Sequence, residues 1–198
     1  MGYEALLFVP NIIGYIRLLL LAVSIIFYSK PLLFLSLYGI SVLFDGFDGF
    51  LARKLNQTSA FGAWFDVVID LISRGALWCM LSKWGYFVIV VEWLTFVATH
   101  CRGPDWKIPD EDFPTICKMV MAKGFKTPLG LAAMTGIFVL PMWLYCLQTG
   151  FLSVYLGISD WAQWLGLLLL TLGRILALTA ELFFIQQHMK HLLFQVKN

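Results

Sequence analysis

Four aspartates stand close together in an otherwise oily stretch, DGFDGFLARKLNQTSAFGAWFDVVID: Asp45, Asp48, Asp66 and Asp70. The first two are three residues apart and the last two are four apart. On α-helices both spacings place the pair on one face, separated by roughly 4.5 and 6 Å along the axis. Two such helices facing each other would bring four carboxylates into one pocket. Like charges that close repel, and divalent cations are the simplest compensation. The stretch therefore points to a metal site, set in a membrane if the surrounding segments cross one.

The neighbouring residues extend this chemistry. Gly46, Gly49 and Ala52 lie near the first pair, and Gly62 precedes Asp66 by four. Small residues permit close helix contact in membranes, and they also let a flat ring or a phosphate approach the backbone. Arg53 follows, where a guanidinium could grip a phosphate in bidentate fashion. Acidic ligands, a phosphate-gripping arginine and cleared space together suggest phosphoryl transfer, with one carboxylate as general base.

The elements that must position these residues are apolar. The chain has 198 residues, 60% hydrophobic and 13% charged, with a mean hydropathy of +0.81. A soluble domain carries about 25% charged residues, so the composition is that of an integral membrane protein. The net charge of +2 is too small to argue for a nucleic-acid partner, and none is expected. Six apolar segments approach the roughly 20 residues that cross a bilayer: 11–28, 32–55, 61–81, 86–99, 128–147 and 161–187. The reading is an all-α integral membrane fold of six transmembrane helices, in one domain covering 1–198. Asn11 is expected to cap the first helix. The long polar segment 100–126 is expected to be a surface loop, with a short amphipathic helix over 113–123.

With six spans both termini share one side. That side holds Arg53, Lys54, Arg102, Lys107, Lys118, Lys123, Lys126, Lys190 and Lys197; the other holds Lys30 and Lys83. The positive-inside rule makes the richer side cytosolic. It places the aspartates at the cytosolic ends of spans two and three. No basic segment followed by a small-residue cleavage site opens the chain, so the first membrane helix is expected to direct targeting.

Other ionisable residues fall within the spans: Arg17, Arg74, Glu92, Arg174 and Glu181. Internal ion pairing is expected for Glu92, Arg174 and Glu181, and for Arg74 with Asp70. That reading suits the four aspartates poorly, because they would need a matching set of bases. Cys79, Cys101, Cys117 and Cys146 have no zinc-like spacing and read as reduced. His100 is expected to cap a helix or touch the acceptor of such a phosphoryl transfer, and His188 and His191 to form a solvated or headgroup face.

The aspartate stretch resembles the CDP-alcohol phosphotransferase signature, D-x2-D-G-x2-A-R-x8-G-x3-D-x3-D, at every fixed position: Asp45, Asp48, Gly49, Ala52, Arg53, Gly62, Asp66 and Asp70. The resemblance implies that family's six-helix fold. It implies two divalent cations, magnesium or manganese, held by Asp45, Asp48, Asp66 and Asp70, with Asp70 also the base for the acceptor hydroxyl. It implies that Gly49, Arg53 and Ser59 contact a CDP-lipid, and that the protein forms homodimers, as is usual in the family.

The segment FVPNIIGYIR (Phe8 to Arg17), the run ARKLNQ and the chain length resemble the eukaryotic phosphatidylinositol synthases within the family. This implies an enzyme of the endoplasmic reticulum that joins CDP-diacylglycerol to myo-inositol, with its site facing the cytosol. Two places depart from that pattern. Leu71 stands where those enzymes usually carry arginine, and Thr99-His100 replaces a Ser-His pair. Glycerol 3-phosphate or phosphatidylglycerol therefore stays open as the acceptor, as does a non-catalytic membrane paralogue.

Overall fold

The computed structural model describes residues 3–102 and 113–195, and all its regular elements there are helical. The contacts within the chain group it into two compact units, Met1–Ala76 and Leu77–Asn198. Lys107 and Lys197 lie outside the described residues.

The first unit opens with a 3-10 turn, Tyr3–Leu7, followed by α1 (Val9–Ile26), α2 (Pro31–Lys54) and the greater part of α3 (Ala60–Leu81). Pro10 sits in the first turn of α1 and Pro31 opens α2, positions where the missing N–H costs no hydrogen bond. Asn11 does not cap α1, which begins two residues earlier. It is buried, and its amide donates to the Ala5 carbonyl. Gly14 lets α1 approach α3: a Cβ there would lie 2.7 Å from the Phe65 ring. Ser41 donates to the Arg17 carbonyl at 3.1 Å, tying α2 to α1.

In the second unit α4 (Gly85–Arg102) follows a tight turn, in which a Cβ on Gly85 would collide with the Trp78 carbonyl. Helix α5 (Thr115–Phe125) takes the place of the expected amphipathic segment. Its interior leaves helical geometry at Ala122, Lys123 and Gly124. Its apolar face buries Cys117, Val120 and Met121, and burial pushes the Cys117 thiol above its ordinary range. All four cysteines are free thiols.

The fifth predicted span is not one helix. It divides into α6 (Pro128–Phe138) and α7 (Leu140–Gln148), bent by 47°. Pro141 explains the break, since it cannot donate to the carbonyl one turn back and its ring crowds that carbonyl. After the short α8 (Phe151–Val154), helix α9 runs from Asp160 to Gln195. Its 36 residues make it about 54 Å long, well beyond a bilayer core of about 30 Å. Helices α6 and α9 cross at Gly136 and Gly173, where a Cβ on either would meet backbone atoms of the other helix at 2.1–2.2 Å.

Helices α1, α2 and α9 are long and apolar enough to cross a membrane, and the bent α6–α7 pair is a fourth candidate. Large apolar side chains such as Leu19, Leu43, Leu168 and Leu169 stand exposed along them, as lipid-facing positions would. Helix α3 carries Asp66, Asp70 and Arg74 within its 22 residues, and α4 is shorter.

Candidate metal and nucleotide site

The four aspartates converge, and they do so on an arginine. Arg17 projects from α1 and is only 2% exposed. Its Nη1 lies 2.8 Å from Asp48 Oδ2 and 2.7 Å from Asp66 Oδ1. Its Nη2 lies 2.7 Å from Asp45 Oδ1 and 2.8 Å from Asp70 Oδ1. The contacts to Asp48, Asp66 and Asp70 have hydrogen-bond alignment, whereas Asp45 meets the guanidinium as an ion pair without it. Helix α2 thus supplies Asp45 and Asp48, α3 supplies Asp66 and Asp70, and α1 supplies the charge between them. Arg17 belongs to the site, a role that its position in the sequence did not show.

One guanidinium balances only a quarter of this charge. Arg74, one turn beyond Asp70, adds a second cation 3.5 Å from Asp70 Oδ2. The remaining deficit is what a carboxylate-rich metal site presents. Oxygens of Asp45, Asp48 and Asp66 lie within 4.8 Å of one another, close enough to share an ion. All these donors are hard oxygens, the type that magnesium and manganese take. The residues fit divalent cations.

A cavity of about 220 Å³ adjoins the aspartates. Asp48 and Asp66 form part of its wall, and Gly49, Arg53, Gln57, Ser59 and Gly62 continue it. Gly49 opens toward the Arg53 guanidinium: a Cβ there would meet Nη1 at 3.6 Å and no other side chain within 4 Å. Among the described residues, a Cβ on Gly46 would meet nothing within 4 Å. Among the described residues neither glycine therefore serves a tight helix contact, whereas Gly62 does, since a Cβ there would lie 2.9 Å from Asn11 Oδ1. Ser59 has a second duty. Its Oγ accepts from the Gly62 N–H at 2.9 Å, capping α3 as serine commonly does. Gln57 accepts from the Val9 N–H, fastening the start of α1 to the α2–α3 connection.

The other predicted charges pair in the second unit. Arg174 lies 2.7 Å from Glu181 and 3.6 Å from Glu92, and all three are buried. Leu71 is buried as well. His100 is exposed beside the Phe96 ring, while His188 and His191 line a separate cavity with Cys101 and Lys190.

Comparison with known proteins places this chain in a family. The family model described as CDP-alcohol phosphatidyltransferase matches residues 7–172. The chain belongs to the CDP-alcohol phosphatidyltransferase family. Among curated relatives, it is 46% identical over 79 residues to CDP-diacylglycerol–inositol 3-phosphatidyltransferase 1 of Arabidopsis thaliana, covering 39% of this chain and 34% of the relative. The Saccharomyces cerevisiae protein named CDP-diacylglycerol–inositol 3-phosphatidyltransferase is 43% identical over 79 residues (39% and 36%). Its human namesake is 46% identical over 72 residues (36% and 34%). The chain thus spans about a third of the length of these relatives. No solved structure matches it.

Proposed function

We propose that the protein transfers a phosphatidyl group from CDP-diacylglycerol to an alcohol and releases CMP. The first choice of acceptor is myo-inositol, which gives phosphatidylinositol. The observation that carries this reading is the convergence of the four aspartates beside a cavity bearing Gly49 and Arg53. The relatives' printed names support the substrates.

In this reading Asp45, Asp48, Asp66 and Asp70 hold two divalent cations. Such ions supply Lewis-acid neutralisation of the pyrophosphate. Gly49 leaves room for the nucleotide to approach α2, and Arg53 grips a phosphate of the CDP group. Ser59 offers its hydroxyl to the same ligand while capping α3. Asp70 takes the proton as the acceptor hydroxyl attacks the β-phosphorus. The new phosphorus–oxygen bond forms as the bond to CMP breaks, and CMP leaves with the electron pair. Arg74 steadies the Asp70 carboxylate from one turn away.

The wider assignment follows the same reading. The chain forms one catalytic domain with six crossings, α3, α4 and the bent α6–α7 pair joining α1, α2 and α9. The distribution of basic residues supports a cytosolic site, and the resemblance to eukaryotic phosphatidylinositol synthases supports residence in the endoplasmic reticulum membrane. That position admits a water-soluble alcohol while the donor's acyl chains stay in lipid. Homodimerisation is part of the proposal.

Leu71, where the inositol enzymes usually carry arginine, keeps open a second reading, in which the chemistry is unchanged and the acceptor is glycerol 3-phosphate or phosphatidylglycerol. Incorporation of labelled alcohols into lipid by the purified protein, with CDP-diacylglycerol and magnesium or manganese, separates the two. Labelled inositol in phosphatidylinositol supports the first reading. Label entering only from glycerol 3-phosphate overturns the inositol assignment and leaves the reaction type intact.

A further inference from the structure

The position of Arg17 carries a consequence for loading of the site. Each terminal nitrogen of its guanidinium bridges one carboxylate of α2 and one of α3: Nη1 joins Asp48 to Asp66, and Nη2 joins Asp45 to Asp70. A magnesium ion bound to carboxylate oxygens sits about 2.0–2.1 Å from them. An ion shared by Asp48 Oδ2 and Asp66 Oδ1 would need the space in which Nη1 lies, 2.8 and 2.7 Å from those atoms. The guanidinium and such an ion therefore compete for the space between these oxygens, while each oxygen keeps a further lone pair. The fit of Arg17 is also incomplete, because its Nε is buried and finds no hydrogen-bond partner among the described residues.

We infer that Arg17 is an internal competitor of the divalent cations: a positioning residue that gathers the four aspartates and must withdraw from them for the site to load. This rests on the metal-binding role proposed above. An arginine stays protonated at any physiological pH, so deprotonation cannot release it. The cations must displace it by their own charge and ligation. Cation affinity is then set by a difference between two states of the carboxylates. Arg17 lowers that affinity while keeping the unloaded cluster from repelling itself apart.

The test is Mn2+ binding by the purified full chain in lipid nanodiscs, read by electron paramagnetic resonance without substrate. Arg17→Gln removes the competing charge and is expected to bind Mn2+ about tenfold or more tightly than wild type. Arg17→Lys keeps one charge but loses the two-nitrogen fork, and is expected to fall between them. If Arg17→Gln is recovered only in Mn2+, chelation is expected to lower its melting temperature far more than that of wild type. A residue needed only for structure would weaken binding or leave it unchanged on replacement. Mn2+ binding by folded Arg17→Gln and Arg17→Lys no tighter than by wild type overturns the inference and leaves the metal site standing. No Mn2+ binding by wild type or either variant overturns the metal reading and this inference with it.

Discussion

Replacement of Asp70 by asparagine separates chemistry from folding at this site. The substitution is nearly isosteric and keeps an oxygen for Arg17 Nη2, now 2.8 Å from Asp70 Oδ1. What is lost is the charge on that hydrogen bond and on the 3.5 Å contact to Arg74. Exchange of a charge-assisted bond for a neutral one costs about 1 kcal/mol. The side chain is 21% exposed, which screens part of that, and loss of one of four clustered negative charges offsets more. The variant should therefore melt within a few degrees of wild type. Asparagine cannot take the acceptor's proton, and loss of a general base costs about 10²–10⁴ in rate, or about 2.7–5.4 kcal/mol in the barrier. CMP release under saturating donor and acceptor is the assay, beside a thermal melt of the same preparation. Turnover within about threefold of wild type in a folded variant would remove Asp70 as the base.

Arg53→Lys should raise the KM for CDP-diacylglycerol several-fold, with a smaller change in kcat, since the ammonium keeps the charge but loses the bidentate grip; initial-rate kinetics over donor concentration would show this. Glu181→Gln breaks the 2.7 Å pair to buried Arg174, and Glu92 at 3.6 Å can compensate only partly. A cost of about 3 kcal/mol is expected, read as a drop in melting temperature that grows when Glu92→Gln is added. Gly136→Val would drive a side chain into the Arg174 backbone, since even a Cβ there would lie 2.2 Å from the Arg174 nitrogen. It should destabilise the protein by about 1–3 kcal/mol or more, measurable by the same melt.

The sequence made the aspartates legible because helical spacing is a local property. Two pairs at three and four residues announce two shared faces, and α2 and α3 carry them. Helix limits were legible where proline marks them, as at Pro10 and Pro31. Arg17 was legible only as an intramembrane charge in need of a partner. Its partners lie 28 to 53 residues onward, on α2 and α3, and the approach of α3 to α1 depends on packing at Gly14 and Gly62. A signal did exist: an arginine inside an apolar helix with no acid of its own must find one elsewhere. The break at Pro141 was readable in principle, but continuous hydropathy across 128–147 masked it. Hydropathy reports a side chain's preference for lipid and not the loss of a backbone donor. The asparagine cap failed for a similar reason. Asn11 is a good cap by type, yet its amide is held by Ala5 after the helix has begun. Ser59 shows the converse, a residue singled out for ligand contact that also caps α3.

Metal-dependent CMP release tests the central claim most directly. The purified protein is incubated with CDP-diacylglycerol and a panel of alcohols that includes myo-inositol, in chelator and then with magnesium or manganese restored. The account predicts no CMP in chelator and its return with the cation, matched by an equal amount of new phospholipid. Absence of cation-dependent CMP release with every alcohol would contradict it.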